Sequence, residues 1–366
     1  MLRTLFLSLL ATGLLAGSSL RAADPPPAQV RASLDKALAY LKTRQNEDGS
    51  FAPKLGGPGI TALIVAGLIR NGYSPDDPVI YKARKYLEQY VQKDGGIYNK
   101  QLANYTTCVA LVAFKEANKS GKYDKIIENA TKFLKSLQSD PGDESDTKFG
   151  GVGYNGKERP DMSNTQFFVE ALLAAGVSKD DPAVKNALKF LSRCQNLPGE
   201  TNDRPFAKKT SEDDKGGFTY NPADADDPKS KNRTPEGGLR SAGTMTYAGL
   251  KSFLYSGMSK DDPRIKAAVD WIGRHYTLEE NPGAGQNGMY YYYHLFAKAM
   301  DALGELEFAD AKKVKHNWRA ELFDALEKRQ KADGSWVNES RAFLEDVPEL
   351  CTAYAILALS YCQPKK

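Results

Sequence analysis

The stretch Gln45-Asn46-Glu47-Asp48-Gly49-Ser50-Phe51 returns as Gln92-Lys93-Asp94-Gly95-Gly96-Ile97-Tyr98 and as Gln330-Lys331-Ala332-Asp333-Gly334-Ser335-Trp336. Each copy follows a helix-like segment and reads as glutamine, glycine turn, then an apolar or aromatic residue. Repetition at a spacing of tens of residues means that each unit buries its apolar face against its neighbours, so the repeat dictates the architecture.

Around these marks, apolar residues recur at three and four positions and strand alternation is absent, which predicts an almost wholly helical chain. The segments alternate in character. Ser33 to Arg44, Ile80 to Tyr90, Lys125 to Leu137, Ala183 to Cys194, Arg264 to His275 and Asn317 to Arg329 are striped with charge on one side. Ile60 to Ile69, Thr106 to Glu116, Thr165 to Ala174, Met245 to Tyr255, Tyr290 to Leu303 and Thr352 to Tyr361 are apolar nearly all round. A striped helix faces water on one side and an apolar one is surrounded by protein. Six outer and six inner helices are therefore expected.

Gly-x-Ser-x-Asp-Asp-Pro occurs at Gly72 to Pro78, Gly176 to Pro182 and Gly257 to Pro263. Gly suits the end of one helix, Asp the cap of the next and Pro its first turn, so these are connectors from inner to outer helices. The opposite connectors include two long polar loops, Gln138 to Ser163 and Gln195 to Gly243. With all inner helices running the same way, these loops and the inner N-termini gather at one mouth, where a pocket is expected.

The N-terminus carries Arg3, an apolar run from Leu5 to Gly17 and an exit through Ser18, Ser19, Ala22 and Ala23. This predicts a secretory signal peptide over 1–22, a Pro-rich lead-in over 23–29 and one folded domain over 30–366, with a periplasmic or secreted location and no transmembrane span once the leader is removed. The formal charge of +4 includes Arg3 and Arg21, leaving about +2 on the mature chain. There is no basic stripe with interleaved aromatics, so nucleic acid is not an expected partner. Cys351 and Cys362 on one helix would stand about 16 Å apart, beyond disulfide reach. Cys108 and Cys351 read as buried small hydrophobes.

In register, Lys36-Ala37-x-x-Tyr40-Leu41-x-x-x-Gln45-x-x-x-Gly49-x-Phe51, Ala130-x-x-Phe133-Leu134-x-x-x-Gln138 and Ala187-x-x-Phe190-Leu191-x-x-x-Gln195 resemble the glutamine-tryptophan repeat of the squalene-hopene cyclase and protein prenyltransferase superfamily. The resemblance spans essentially the whole mature chain and implies an all-α, six-by-six α/α toroid. It also implies where chemistry would sit. The cyclase branch uses an Asp-x-Asp-Asp-Thr stretch at an inner-helix start, and Asp161-Met162-Ser163-Asn164-Thr165 stands in that place with Ser163 instead of the central acid; a hydroxyl cannot protonate an alkene. Asp161 is then either a functional acid or a helix cap. Asp224-Ala225-Asp226-Asp227 lies too far from the next inner helix and reads as a solvated acidic loop. The prenyltransferase branch binds zinc through Asp-Gly-Cys and a distant His. Here the stretch is Ala242-Gly243-Thr244, so His294 lacks those partners; Glu349 and Cys351 could join it only as an alternative set. Neither metal nor cofactor is expected.

The candidate catalytic residues are thus Asp161 and His294. The candidate ligand-binding residues are Tyr154, Asn164, Arg240, Thr244, Tyr290, Tyr293 and Trp336: Arg240 as positive charge at the mouth, where helix N-termini favour anions, and the tyrosines and Trp336 as an aromatic wall. The leading expectation is an exported cyclase-like toroid holding an apolar, isoprenoid-type ligand in its lumen, without the usual initiating acid. The alternatives are a glycan lyase or hydrolase on the same ring and a non-enzymatic binding or assembly protein. Lumen chemistry separates them: a dry aromatic cavity points to isoprenoids, an open groove with two facing carboxylates to glycans, and a filled lumen to a platform. The oligomeric state is not encoded in any of these signals.

Overall fold

The computed structural model describes residues 24–363. The expected leader lies outside the described residues. Pro27 to Gln29, expected as lead-in, instead open the first helix, α1 (Pro27–Arg44), because proline is suited to a helical first turn.

Outer helices are α1, α4 (Pro78–Glu88), α6 (Asp124–Ser136), α8 (Pro182–Arg193), α10 (Pro263–His275) and α12 (Trp318–Arg329). Inner helices are α3 (Pro58–Arg70), α5 (Ala103–Ala117), α7 (Met162–Ala174), α9 (Gly243–Tyr255), α11 (Met289–Leu303) and α13 (Pro348–Leu359). A single turn, α2 (Pro53–Gly56), precedes α3. Each inner helix packs on the next, and α13 returns to α3, closing the ring. Almost every residue of α3 and α13 is buried, as apolar character on all sides requires. Among the described residues, regular strand is confined to β1 (Phe308–Ala309) and β2 (Lys315–His316), a small antiparallel pair between α11 and α12. The six-by-six toroid expected from the repeat is the observed fold.

The pairing of helices differs from the chain-order reading in one respect. Each outer helix packs most extensively on the inner helix before it, α4 on α3 and α10 on α9, and α1 packs on α13. The first helix therefore belongs, in space, to the last unit.

What the repeated glutamine does is now explicit. Gln45 Nε2 donates to Gly49 O at 3.1 Å and to Val79 O at 2.8 Å, joining its own turn to the first turn of the next outer helix. Gln138 does the same to Gly150 O and Ala183 O, and Gln195 to Gly216 O and Arg264 O. The N–H groups of Val79, Ala183 and Arg264 are in turn accepted by Asp77, Asp181 and Asp262, the caps expected from the Asp-Asp-Pro connectors. Gln330 closes the circle by donating to Gly334 O and to Ser33 O in α1. Gln92 departs, reaching only Tyr90 O and Tyr98 O.

The turn glycines sit where nothing else fits. Gly150 has φ +79°, and a Cβ there would lie 2.0 Å from Asn186 O of the next outer helix. Gly49, at φ +91°, would meet Lys82 O at 2.3 Å.

One further repeated contact lies two residues beyond. The N–H groups of Phe51, Ile97, Val152, Phe218 and Trp336 donate to the hydroxyls of Thr61, Thr107, Thr165, Thr246 and Thr352, each in the first turns of an inner helix, at 2.9–3.2 Å. Thr165, which in sequence completes the cyclase-like motif, is therefore one of five equivalent structural threonines. Replacing Thr61 or Thr165 by Val keeps the shape and orphans a buried N–H, so each should cost about 1–3 kcal/mol in denaturant unfolding. A much larger functional than stability effect at Thr165 alone would show that its role is not the shared one.

Candidate functional site

At the mouth, four inner helices, α5, α7, α9 and α11, are each capped by the following repeat. The first N–H groups of a helix have no partner within the helix, and here the next connector supplies one. Asn104 N of α5 donates to Tyr154 O, Met162 N of α7 to Tyr220 O, and Gly243 N of α9 to Pro282 O, with Thr244 N on Asn281 Oδ1. In α11, Tyr290 N and Tyr291 N both donate to Glu345 Oε1 at 2.9 Å. Glu345 is fully buried and its other oxygen accepts from Asn338 Nδ2. Burial raises its carboxyl above the usual range while these donors hold it back. The first N–H groups of these four helices are thus already occupied, which leaves fewer donors free for an anion at the mouth.

Asp161 caps α7: Oδ1 accepts Asn164 N and Oδ2 accepts Asn164 Nδ2, each at 2.8 Å. Asn164 in turn accepts from Asn104 Nδ2 of α5 at 3.3 Å, so the pair ties two inner helices together. Asp161 is 3% exposed, and burial pushes its carboxyl up to about 6 against the opposing bonds from Asn164 and Tyr220. Both oxygens are committed to Asn164, so the cap reading describes the geometry.

Below the mouth the lumen is occupied. Ser163 Oγ and Gln166 Nε2 each lie 3.0 Å from Tyr291 OH. Tyr291 stacks on Phe167 at 5.8 Å between ring centres, and Tyr105 meets Phe167 edge-on and bonds Tyr354 at 3.2 Å. Beneath this aromatic layer, Glu170 of α7 is clamped by Lys251 of α9 at 2.8 Å and by Lys298 of α11 in a short contact. The two ammonium groups hold its carboxyl well below the usual range in spite of burial. Arg70 of α3 pairs with Glu116 of α5 at 2.7 Å in the same interior. The cavity between the layers has a volume of about 20 Å³, bordered by Phe167, Glu170, His294 and Lys298 among others. A drug-sized or isoprenoid ligand requires about 300–1,000 Å³.

The sequence candidates separate accordingly. His294 faces this interior, is buried, and is held neutral: burial, then the charge of Lys298, drives its pKa well below the usual histidine value. The cavity it lines includes neither Asp161 nor Arg240, so the three do not border one pocket. Arg240 is exposed, its N–H bound to Asn232 O. Tyr154 is exposed and contributes its carbonyl as a cap. Tyr290 and Tyr293 turn from the lumen, their hydroxyls on Val337 O and Leu278 O, while Trp336 is fully buried with Nε1 on Leu326 O of α12. Thr244 has a buried hydroxyl with no partner. Asp224, read as solvated, is buried and accepts from Arg159 and Asn232, bracing the long loop. Glu349 pairs with Arg44, and Cys351 donates to Glu345 O; among the described residues no three His, Cys, Asp or Glu side chains form a group suited to a metal ion. The four cysteines are free and buried. No described helix is long and apolar enough to cross a membrane.

The residues missed are Tyr291, Glu170, Lys251, Lys298 and Glu345. The lumen stripe was present in the spacing: Tyr291, His294 and Lys298 on α11, and Ser163, Gln166 and Glu170 on α7, both recur at three and then four positions, one helix face.

Two measurements follow. Because the folded pKa of Asp161 is raised above its unfolded value, its contribution is fully present below about pH 4 and lost as pH rises through about 6. Asp161→Asn should therefore flatten this part of the stability–pH curve; an unchanged curve would mean that Asp161 titrates normally. Glu345→Ala, which leaves two N–H groups of α11 without their acceptor, should cost about 2–4 kcal/mol in urea unfolding, whereas a change within about 0.5 kcal/mol would show the cap to be dispensable.

Residues 54–211 match the squalene-hopene cyclase C-terminal domain family. Among solved structures, a protein from Actinoplanes aligns with 91% of this chain and 99% of its own at 16% identity and a TM-score of 0.55. A variant of the type II terpene cyclase MstE from Scytonema, in complex with geranylgeranyl dihydroxybenzoate, aligns over 92% of this chain and 98% of its own at 14% identity and a TM-score of 0.36. No curated protein matches the sequence significantly. The family match covers less than half of the chain; with the repeat and the closed double ring it makes this chain similar to the squalene-cyclase-like repeat proteins.

Proposed function

We propose that this protein is an exported, non-enzymatic binding or assembly protein in which a cyclase-like ring has become a solid core. The observation that carries this reading is the filled lumen: an aromatic layer above a buried Glu170–Lys251–Lys298 cluster, with about 20 Å³ between them. The missing proton donor supports it. Ser163 stands where the resemblance places the acid, Glu170 is held ionised, and Asp161 is engaged in capping. The glycan reading has less support, because the buried carboxylates of the mouth are engaged: Asp161 and Glu345 bind helix ends, Asp224 braces the long loop and Glu349 pairs with Arg44. Export rests on the leader pattern at 1–22.

A presenting face is available at the mouth. Phe343 is 71% exposed and Leu344 41%, at φ +59° and +62°, consecutive left-handed residues on the connector before α13. Such backbone costs a non-glycine residue about 1–2 kcal/mol, and strain retained in an exposed loop points to use of the side chains it displays. Leu344→Gly should raise stability by about 1 kcal/mol while removing that apolar group; a loss of stability would reclassify Leu344 as a packing residue.

A second reading is an isoprenoid-type ligand seated against Tyr105, Phe167, Tyr291 and Tyr354, which form an aromatic layer directly beneath the mouth. Solvent extraction and mass spectrometry of the purified mature protein decide between the two. The platform reading expects no small molecule near one per chain. A stoichiometric isoprenoid would overturn it and establish the second.

A further inference from the structure

The charges inside the ring do not balance locally. Glu170 is shared by two ammonium groups, Lys251 and Lys298, both at most 2% exposed, while Arg70 is matched by Glu116 and Arg319 by Asp301. With both amines protonated, one carboxylate between them leaves a positive charge in excess. Buried charge without compensation is expensive, and proteins neutralise it by pairing, by deprotonation or by binding a counter-ion.

Lys251 uses its ammonium on Glu170 Oε2 and on Gln166 Oε1 and does not border the cavity. Lys298 does border it, with Glu170 as its hydrogen-bond acceptor, so donors remain for a further partner. One turn before it, on the same face of α11, stands His294, 2% exposed, whose Nδ1 has no hydrogen-bond partner. Arg70 also lines the space, and Leu63, Val109 and Phe167 supply the apolar remainder. A volume of about 20 Å³ admits one water-sized species and excludes a carboxylate or phosphate.

We propose that this cavity is a binding site for a single small monovalent anion of the halide class, held by the Lys298 ammonium with the His294 imidazole N–H and the charge of Arg70. The anion supplies the negative charge that Glu170 alone does not. Burial first, with Lys251 and Arg70, pulls the basicity of Lys298 down to about 7 although Glu170 acts in the opposite sense, so the ammonium that would hold the anion is present below that pH. Cys108 borders the cavity as a neutral thiol, its pKa driven up by burial.

The test uses the mature protein at pH 6.5, with thermal unfolding followed in sodium chloride and in sodium gluconate at equal ionic strength. The unfolding midpoint should rise by about 2 °C or more between 5 and 200 mM chloride, and gluconate should not reproduce the rise. Lys298→Met, which keeps the side-chain length and removes the excess charge, should fold and lose the chloride dependence. Crystals grown in sodium bromide should show one anomalous peak between Lys298 and His294. Equal midpoints in the two salts, or a bromide map with no peak there, would overturn the site and leave a buried water as the occupant. Should Lys298→Met not fold, His294→Leu in the same salt comparison and the bromide map of the unaltered protein decide the matter.

Discussion

Every helix in this ring ends with backbone groups that its own hydrogen-bonding pattern cannot satisfy, and the architecture is the answer to that constraint. At one level, a glutamine reaches from the end of one outer helix to a carbonyl in the first turn of the next, whose N–H is held by an aspartate. At the mouth, α5, α7, α9 and α11 surrender their first N–H groups to the following connector. Both devices act between units, not within them. A single helix pair would leave these groups in water and its apolar seam uncovered, so stability is a property of the closed circle.

The same constraint accounts for the polar groups of the mouth. The polar groups that look available in sequence, Asp161, Asn164, the carbonyl of Tyr154 and the carboxylate of Glu345, are committed to helix ends. The lumen below takes a different course, in which aromatic rings fill the upper layer and a buried ion cluster the lower. The frame is a toroid, and the side chains facing inward bind one another.

How much of this was legible in sequence follows from the range of the interactions. The repeat, the outer and inner helices and the Asp-Asp-Pro connectors are local patterns, and they appear where the spacing puts them, within a few residues. The site candidates rest on position in a family motif, on the run of four tyrosines and on nearness to helix starts, and none of these tells which way a side chain turns. Within Tyr290–Tyr293, successive residues point about 100° apart, so only Tyr291 meets the lumen, while Tyr293 bonds Leu278 O in the seam. Glu345 lay in a connector with no periodicity to mark it. The partnership of Glu170 with Lys251 and Lys298 joins three helices and leaves no trace in any one of them.

The placement of α1 against α13 has a consequence for how the protein comes into being. Ser33 and Gln330, joined at 2.9 Å, are 297 residues apart, and Arg44 meets Glu349 across 305. A chain delivered from its N-terminus presents α1 first and its true neighbour last. Until α13 arrives, α1 has no permanent seat, and the nascent arc has two raw edges that resemble those of any other copy. Contacts so distant along the chain form slowly, and in that interval the first helix of one chain and the last of another are as compatible as the two within one chain. Closure within a single molecule therefore depends on dilution and on the speed of delivery, and crowding of incomplete chains favours exchanged rings.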